Sequence, residues 1–210
     1  MHNRKAVRLN HEKLKFMKRK CKFIKSAWAP NEYPATILPE VVMTGRSNAG
    51  KSSLINAWTS SQLAKVSSTP GKTRLINFFE CGPYNLVDLP GYGFAARSGA
   101  EIKDFQKIIE SYFSLRTQIC CLILVMDIRR DWSDDEELLR RFAHSIQKPL
   151  VVVASKIDKL NQKDFKMRQK ILIEQSRAEH IYFISSTQKK GLDDLEDSVY
   201  RQFVHPKINN

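Results

Sequence analysis

The chain has little of what marks several large classes of protein. Its 210 residues include only four cysteines, eight glycines and eight prolines, with no Cys-x-x-Cys spacing and no Gly/Pro-rich linker. No run approaches the roughly 18 to 20 apolar residues that a membrane-spanning helix needs, and the N-terminus lacks the apolar stretch of a secretory signal. We therefore expect one compact domain in the cytoplasm, away from membranes, with all four cysteines reduced.

Acidic residues are nearly missing from the first 25 positions, where Glu12 stands against ten Lys and Arg residues. This segment carries +9 of the formal net charge of +13. Such a basic arm suits binding to RNA phosphates through counterion release, and a solvated tail without a partner is the simpler alternative. A transit peptide is disfavoured because Ser26 is the only serine before Ala27. The helical spacing of four apolar residues predicts that the arm can form a basic helix: Leu14, Met17, Cys21 and Ile24.

A complete phosphate-binding pattern, G-x-x-x-x-G-K-[ST], stands at positions 45–52. Its members are Gly45, Arg46, Ser47, Asn48, Ala49, Gly50, Lys51 and Ser52. The glycines let successive N–H groups point at phosphate oxygens, the lysine adds positive charge at the β- and γ-phosphates, and the serine hydroxyl can ligate Mg²⁺. The flanking runs 41–44 and 53–58 predict a buried strand and a helix, so the phosphates are expected at a helix N-terminus.

Two further segments suit Mg²⁺ and the γ-phosphate. The motif Asp88-Leu89-Pro90-Gly91 follows a strand-like run, so Asp88 is expected to hold Mg²⁺ through water and the Gly91 amide to meet the γ-phosphate. The polar, turn-rich stretch 67–74 suits a switch that orders around the same groups. Either Thr69 or Thr73 is spaced to supply a second hydroxyl ligand to Mg²⁺.

Recognition of a guanine base is predicted at the ends of two later strands. In the motif Ser155-Lys156-Ile157-Asp158, the Asp158 carboxylate can accept two hydrogen bonds from the guanine N1 and N2 groups, a donor pair that adenine does not offer. Lys156 is expected to lie along the base plane. The residues Ile184, Ser185 and Ser186 are expected to present backbone N–H groups to the guanine oxygen.

In combination, these stretches resemble the EngB family of bacterial GTPases, also called YihA or YsxC. The resemblance covers residues 23–204 and rests on GRSNAGKSSLIN, TPGKT, VDLPGYGFA, MDIRR and SKID. It implies a GTP-binding and GTP-hydrolysing switch in assembly of the large ribosomal subunit, with a link to normal cell division and septation. It also implies Mg²⁺ as cofactor, GTP and GDP as ligands, and the large ribosomal subunit or its precursor, with rRNA and ribosomal proteins, as partner.

Residue by residue, the resemblance assigns the Mg²⁺ ligands to Ser52 and Thr73. It assigns catalytic roles to Lys51, Thr73, Asp88 and Gly91. The implied nucleotide contacts are positions 45–52, then Gly71, Lys72, Thr73, Arg74 and Leu75, then Asp88, Leu89, Pro90 and Gly91, and finally Ser155, Lys156, Ile157, Asp158, Ile184, Ser185 and Ser186. The base motif of the family usually opens with Asn or Thr, so Ser155 is a departure that predicts looser packing with guanine preference retained.

At Tyr92, the chain lacks the side chain that orients the attacking water for hydrolysis in other GTPases. The best-known small GTPases have at this position, directly after the D-x-x-G glycine, a Gln that orients the attacking water, and Tyr has no group placed for that task. We therefore expect slow intrinsic hydrolysis. Related GTPases with Asn at the position of Asn48 bind K⁺ beside the β- and γ-phosphates, so the resemblance implies a K⁺ site there. Alternatively, Asn48 only braces the loop through backbone hydrogen bonds.

Apolar β-branched runs alternate with helical patterns, which predicts an α/β fold: a P-loop NTPase with a Ras-like, mostly parallel sheet, helices on both faces and one antiparallel edge strand. Strands are expected at 75–79, 84–87, 119–126, 150–154 and 181–185, and helices at 102–115, 134–146, 164–176 and 192–203. The first two of these strands are too close for a crossover helix and should form an antiparallel hairpin at one sheet edge. We divide the chain into a flexible basic extension (1–22), a G domain (23–205) and a C-terminal tail (206–210), and expect a monomer.

Two other functions would use parts of the same sequence. A G-domain module for another RNA or cell-division complex, with slow or negligible hydrolysis, is the main alternative, although such proteins usually carry additional domains for which the chain has no room. A kinase or ATPase would use the same phosphate loop, but the base motif 155–158 and the lack of a lid region argue against it. No Ser/His/Asp or Cys/His set competes with the phosphate site.

Overall fold

The computed structural model of the chain describes residues 21–64, 75–92 and 99–209, with only the backbone described at 99–106. In these parts, seven strands form one sheet in the order β1-β3-β4-β2-β5-β6-β7. The strands are β1 (Lys22–Ala27), β2 (Glu40–Gly45), β3 (Ile76–Glu80), β4 (Asn85–Asp88), β5 (Ile119–Asp127), β6 (Leu150–Ser155) and β7 (His180–Phe183).

Four of the described helices lie between strands along the chain, and two follow the last strand. They are α1 (Lys51–Trp58), α2 (Gly99–Leu115), α3 (Asp134–Ser145), α4 (Gln162–Ser176), α5 (Leu192–Val199) and α6 (His205–Ile208), with a π-helical turn at Tyr200–Val204 and 3₁₀ turns at Pro30–Glu32 and Ile157–Lys159. Local signals start and stop them. For example, the Asn161 side chain accepts from the Asp164 N–H at the start of α4, and Arg177 ends that helix in a left-handed conformation. Among the described helices, none has the length and apolar character needed to cross a membrane.

The sheet is mostly parallel. Strand β2 pairs in parallel with β4 and β5, and β5, β6 and β7 continue in the same direction. Strand β3 runs against its neighbours β4 and β1. The predicted Ras-like α/β fold and the β3–β4 hairpin are therefore confirmed, and β1 adds an outer strand that the sequence patterns did not indicate.

Two core layers cover the sheet, one on each face. Alternate residues of β2 divide between them: Val41 and Met43 pack towards α1 and α5, whereas Val42 packs towards α2 and α3. All nine residues of β5 are buried, because a central parallel strand is covered on both faces. The predicted nucleotide motifs follow the carboxyl ends of the parallel strands β2, β4 and β6.

Two expectations about the N-terminal region are wrong. Ile24 lies in strand β1, so the helical spacing predicted for the arm does not extend to it, while residues 1–20 lie outside the described part. Cys21 and Cys81 form a disulfide, whereas Cys120 and Cys121 are free and buried. The reason is the β1–β3 register: Lys22 pairs with Glu80, which places the two flanking cysteines opposite each other with their Cα atoms 4.3 Å apart.

Candidate functional site

The phosphate loop begins where β2 ends, and close packing dictates its two glycines. A Cβ atom at Gly45 would lie 2.2 Å from the carbonyl oxygen of Val125 in β5, a distance that excludes any side chain. Gly50 has a φ of 95°, in the left-handed region, and its Cβ would lie 3.1 Å from the Ser155 hydroxyl. The loop therefore passes too near β5 and the base motif for larger residues.

Helix α1 starts at Lys51 directly after this loop. Gly50 occupies the cap position and has no side chain to accept from the first-turn N–H groups, which are therefore available to a ligand at the helix N-terminus. The loop is itself braced, since the Ala49 N–H donates to the Arg46 carbonyl at 3.1 Å. Asn48 has a φ of 63°, the left-handed conformation that Asn tolerates well. This arrangement suits an anion such as a nucleotide phosphate.

Lys51 and Asp88 meet at the base of the loop. Their side chains form an ion pair, with exposed fractions of 11% and 6%, because β4 lies beside β2 and ends at the level of the loop. Ser52 is the next residue of α1. A hydroxyl and a carboxylate at this point are the oxygen ligands that Mg²⁺ prefers, so the donor set fits the cation that the sequence predicts.

The D-x-x-G segment lies directly on the phosphate loop. The Leu89 N–H donates to the Met43 carbonyl at 2.9 Å and extends the β4–β2 pairing. Next, the Tyr92 N–H donates to the Gly45 carbonyl at 3.3 Å, and the Ser47 N–H donates to the Tyr92 carbonyl at 3.4 Å. A Cβ at Gly91 would lie 3.1 Å from that same Gly45 oxygen. The structure therefore brings the second motif against the first, as predicted.

The Tyr92 hydroxyl is engaged by a residue that sequence reasoning missed. It donates to Oε1 of Glu136 at 3.0 Å, and burial together with the neighbouring Glu136 carboxylate raises the pKa of Tyr92 well above its usual value. Glu136 is itself buried and accepts from the Ser133 N–H at 3.0 Å. The Ser-x-x-Glu pattern of a capping box at the start of α3 was the available signal.

The base motif and the Ile184 segment are brought together. Asp158 accepts a hydrogen bond from the Ser185 hydroxyl at 2.7 Å, which lowers the pKa of the Asp158 carboxyl. The Ile157 N–H donates to the Ile184 carbonyl at 3.2 Å. Ser155 is buried, and its hydroxyl donates to the Ala49 carbonyl, so it links the base motif to the phosphate loop. The looser packing expected from the missing methyl group stays a prediction.

Lys156 joins the base motif to the phosphate loop. Its ammonium donates to the Asn48 carbonyl at 2.5 Å and lies 3.1 Å from Oδ2 of Asp127. Asp127 ends β5 and also accepts from the Arg129 guanidinium at 2.9 and 2.6 Å. Burial raises the pKa of Asp127, but the hydrogen bonds from Arg129 and Lys156 outweigh it, so the pKa is lowered overall.

In the sequence, Asp127 stands in MDIRR, a motif that carries the family resemblance but predicts no role for this residue. Its position at the end of a strand, next in the sheet to the strand that bears the base motif, was the available signal. A cavity of about 290 Å³ lies between the loop that follows β5 and the phosphate loop. Its lining includes Arg46, Ser47, Ala49, Asp127, Arg129 and Glu136.

Part of the predicted site lies outside the described residues. This applies to Gly71, Lys72, Thr73 and Arg74, so the assignment of Thr73 as a Mg²⁺ ligand stays a prediction. Leu75 immediately precedes β3 and is 36% exposed. The other predicted positions lie on four loops, which follow β2, β4, β6 and β7, and at the start of α1.

Known proteins are similar to this chain in sequence. A family model described as "50S ribosome-binding GTPase" matches residues 40–156. A protein named "Probable GTP-binding protein EngB" from Bdellovibrio bacteriovorus is 46% identical over 189 residues, covering 90% of this chain and 94% of that protein. Its namesake from Clostridium botulinum is 43% identical over 187 residues, covering 87% of this chain and 94% of that protein.

A solved structure is similar in fold. The crystal structure of a probable GTP-binding protein engB superposes with a TM-score of 0.64 at 22% identity, covering 77% of this chain and 97% of that chain. At this identity the likeness shows the fold alone, and the sequence relatives carry the assignment. This chain belongs to the EngB family of GTP-binding proteins, which are GTPases.

Proposed function

We propose that this protein is a GTP-binding and GTP-hydrolysing switch that acts in the cytoplasm, as a monomer, in assembly of the large ribosomal subunit. Through that role we propose that it supports normal cell division and septation. The observation that carries the proposal is the contact between Lys51 of the phosphate loop and Asp88 of the D-x-x-G motif. It joins the phosphate-binding lysine to the D-x-x-G segment, which in GTPase switches orders around the γ-phosphate and Mg²⁺, and the family description supports the ribosomal partner.

Different residues of the chain neutralise, orient and contact the phosphates. Lys51 is held within reach of the β- and γ-phosphates and neutralises charge there, while the first-turn amides of α1 orient the phosphate chain. Mg²⁺, when bound, stabilises the charge that develops on the transferred phosphoryl group. Ser52, Thr73 and, through water, Asp88 would hold it. Gly91, beside the loop, offers its amide to the γ-phosphate without a side chain in the way.

We propose that intrinsic hydrolysis is slow. Tyr92 stands where a water-orienting Gln is found in other GTPases, and its hydroxyl is bound to Glu136. K⁺ beside Asn48 is proposed to supply additional positive charge at the β- and γ-phosphates. Turnover at equal ionic strength in K⁺ and in Na⁺ buffer tests this point: faster turnover in K⁺ is expected, and equal rates would remove K⁺ from the proposal.

The basic extension 1–22 is proposed to contact RNA phosphates, beside a G domain at 23–205 and a tail at 206–210. Because each neutralised phosphate releases counterions, binding through the arm depends steeply on salt. Deleting residues 1–20 should weaken binding to large ribosomal subunits and flatten its salt dependence while GTP affinity stays the same. An unchanged salt slope would show that the arm does not contact RNA.

The main experiment is co-sedimentation with large ribosomal subunits and their precursors in GDP, in GTP and in a non-hydrolysable GTP analogue, at two salt concentrations. We expect association that requires GTP or its analogue. A Lys51→Ala variant, which has lost the phosphate-binding charge, serves as the matched control and should not co-sediment in any nucleotide. Binding that ignores the nucleotide, or no binding, would instead favour a G-domain module of another RNA or cell-division complex.

A further inference from the structure

Three polar side chains form a row across the antiparallel edge of the sheet. Ser26 of β1 is directly opposite Asn77 of β3, and Asn77 is directly opposite Asp88 of β4. Residues that face each other on neighbouring antiparallel strands place their side chains on the same face. The Ser26 hydroxyl donates to Oδ1 of Asn77 at 2.6 Å, and Nδ2 of Asn77 donates to Oδ2 of Asp88 at 3.3 Å.

The donor and acceptor types in this row fix the orientation of the Asn77 amide. The Asp88 carboxylate only accepts hydrogen bonds, so the amide group of Asn77 must turn its NH₂ towards Asp88 and its carbonyl away from it. That carbonyl then needs a donor, and the Ser26 hydroxyl supplies it. Removal of the hydroxyl would leave the amide orientation less strongly determined.

Asp88 is held from two sides. Its Oδ1 contacts the Lys51 ammonium and its Oδ2 accepts from Asn77, with 4% of the residue exposed. When a nucleotide is bound, the Lys51 ammonium is needed at the phosphates. Of these two partners in the described part of the chain, Asn77 is then the one that continues to orient the carboxylate.

We propose that Asn77 is a positioning residue for Asp88, with Ser26 as its support on the edge strand. This inference rests on the proposed function, because it takes Asp88 as the acid that holds Mg²⁺ through water. Partners that orient a metal-binding group typically contribute about tenfold or more to metal affinity. Asn77 should therefore control how strongly Mg²⁺ tightens nucleotide binding, without touching the nucleotide.

The test compares nucleotide affinity with and without Mg²⁺ in variants of similar shape. Asn77→Leu removes the amide, and Asn77→Asp replaces it with a second acceptor that repels Asp88. Dissociation constants of a fluorescent GTP analogue are measured by titration in excess Mg²⁺ and in EDTA. We expect the tightening by Mg²⁺ to fall about tenfold in both variants, whereas affinity in EDTA stays within about twofold of the parent protein.

A second pair of variants tests the hydrogen bond from Ser26 to Asn77, and it replaces the first test if the Asn77 variants do not fold. Ser26→Thr keeps the hydroxyl and Ser26→Val removes it at nearly the same shape, and both β-branched residues suit an edge strand. We expect Ser26→Thr to match the parent protein. In Ser26→Val, the tightening of GTP binding by Mg²⁺ should be about threefold smaller than in the parent protein. This effect is weaker than that of the Asn77 variants because it passes through Asn77.

Two results would overturn the inference. One is an unchanged effect of Mg²⁺ in the folded Asn77 variants, or in Ser26→Val if those do not fold. The other is an equal loss of affinity in Mg²⁺ and in EDTA, which would indicate a general structural role. If the parent protein itself binds GTP without any response to Mg²⁺, the proposed role of Asp88 fails first, so the two failures are distinguishable.

Discussion

The Lys156 ammonium lies 3.1 Å from the Asp127 carboxylate. Through this contact, the end of β5 holds a side chain that also donates to the Asn48 carbonyl in the phosphate loop. Lys156 has a φ of 63°, a left-handed backbone that directs the residue across the site rather than along the 3₁₀ turn that follows. The base-recognition and phosphate-binding loops are therefore tied together through one ammonium group.

Substitution Asp127→Asn should weaken GTP and GDP binding equally, by about tenfold. The neutral amide removes the ion pair that orients Lys156 and leaves the Lys156 and Arg129 charges without their shared partner, a loss on the order of 1 to 2 kcal/mol. Titration of the two nucleotides measures the effect. Glu179→Gln, at a side chain that is 89% exposed, is the control and should bind as the parent does. A loss confined to GTP would place Asp127 at the γ-phosphate instead.

Stability should fall as the pH is lowered below about 4. Asp127 and Asp158 have lowered pKa values in the folded protein, and hydrogen bonds from Arg140 and Arg141 lower the pKa of Glu137 to about 2. The unfolded chain binds protons at about 3.9 to 4.3, so their contribution is complete above that range and is lost as the pH falls towards about 2.

Urea unfolding at pH 7, 5, 4 and 3 measures this dependence. The unfolding free energy should be nearly constant from pH 7 to 5 as far as these three groups are concerned, and should decrease from pH 4 to 3. Asp127→Asn should show a shallower decrease because one titrating group is removed. A profile that does not change between pH 5 and 3 would contradict the expectation.

Asp158→Asn should shift base preference from guanine to xanthine. The Asp158 carboxylate accepts from two guanine donors, whereas an Asn amide offers one acceptor and one donor, which matches the N1–H and C2 carbonyl of xanthine. Because two buried hydrogen bonds are involved, we expect the ratio of GDP to XDP affinity to change by at least about 100-fold. Competition between the two nucleotides measures it, and Asp193→Asn, outside the site, should keep the parent's preference.

Tyr92→Phe should destabilise the protein by about 1 to 2 kcal/mol, because the hydroxyl donates to the buried Glu136 carboxylate. Tyr33→Phe is the matched control. The Tyr33 hydroxyl is buried and finds no hydrogen-bond partner among the described residues, so its removal should be neutral or stabilising. Denaturant unfolding of the two variants tests the contrast, which equal effects would refute.

The Cys21–Cys81 disulfide predicts two free thiols in protein that is denatured without reductant, and four after reduction. The bond closes a loop with a sequence separation of 60 residues, for which chain entropy predicts a stabilisation of about 4 kcal/mol. The Cys81→Ser variant should therefore have a lower midpoint of thermal unfolding, and this midpoint should not change when reductant is added. Four free thiols in the unreduced parent would show that the bond does not form in solution.

The parts of the site that could be predicted are local in sequence. The phosphate loop needs two glycines, a lysine and a hydroxyl within eight residues, and the D-x-x-G and base motifs each occupy four. In a mostly parallel sheet each such motif follows the carboxyl end of a strand, so adjacent strands bring the motifs to one edge. For this reason the sequence alone predicts that Lys51, Asp88 and Asp158 belong to one site.

The parts that could not be predicted depend on distant partners. Strand β1 has a basic, amphipathic composition that reads equally well as a helix, and only its pairing with β3 makes it a strand and brings Cys21 to Cys81. Asn77 had no motif to mark it, and its role follows from its place opposite Asp88.

Short contiguous motifs suffice to identify this chain as a guanine-nucleotide-binding α/β protein, because phosphate and base recognition each need only a few neighbouring residues. Other side chains support those motifs through folding contacts: Asp127 for Lys156, Glu136 for Tyr92 and Asn77 for Asp88. Each of these pairs joins residues of separate elements, and such contacts arise from strand order, register and packing.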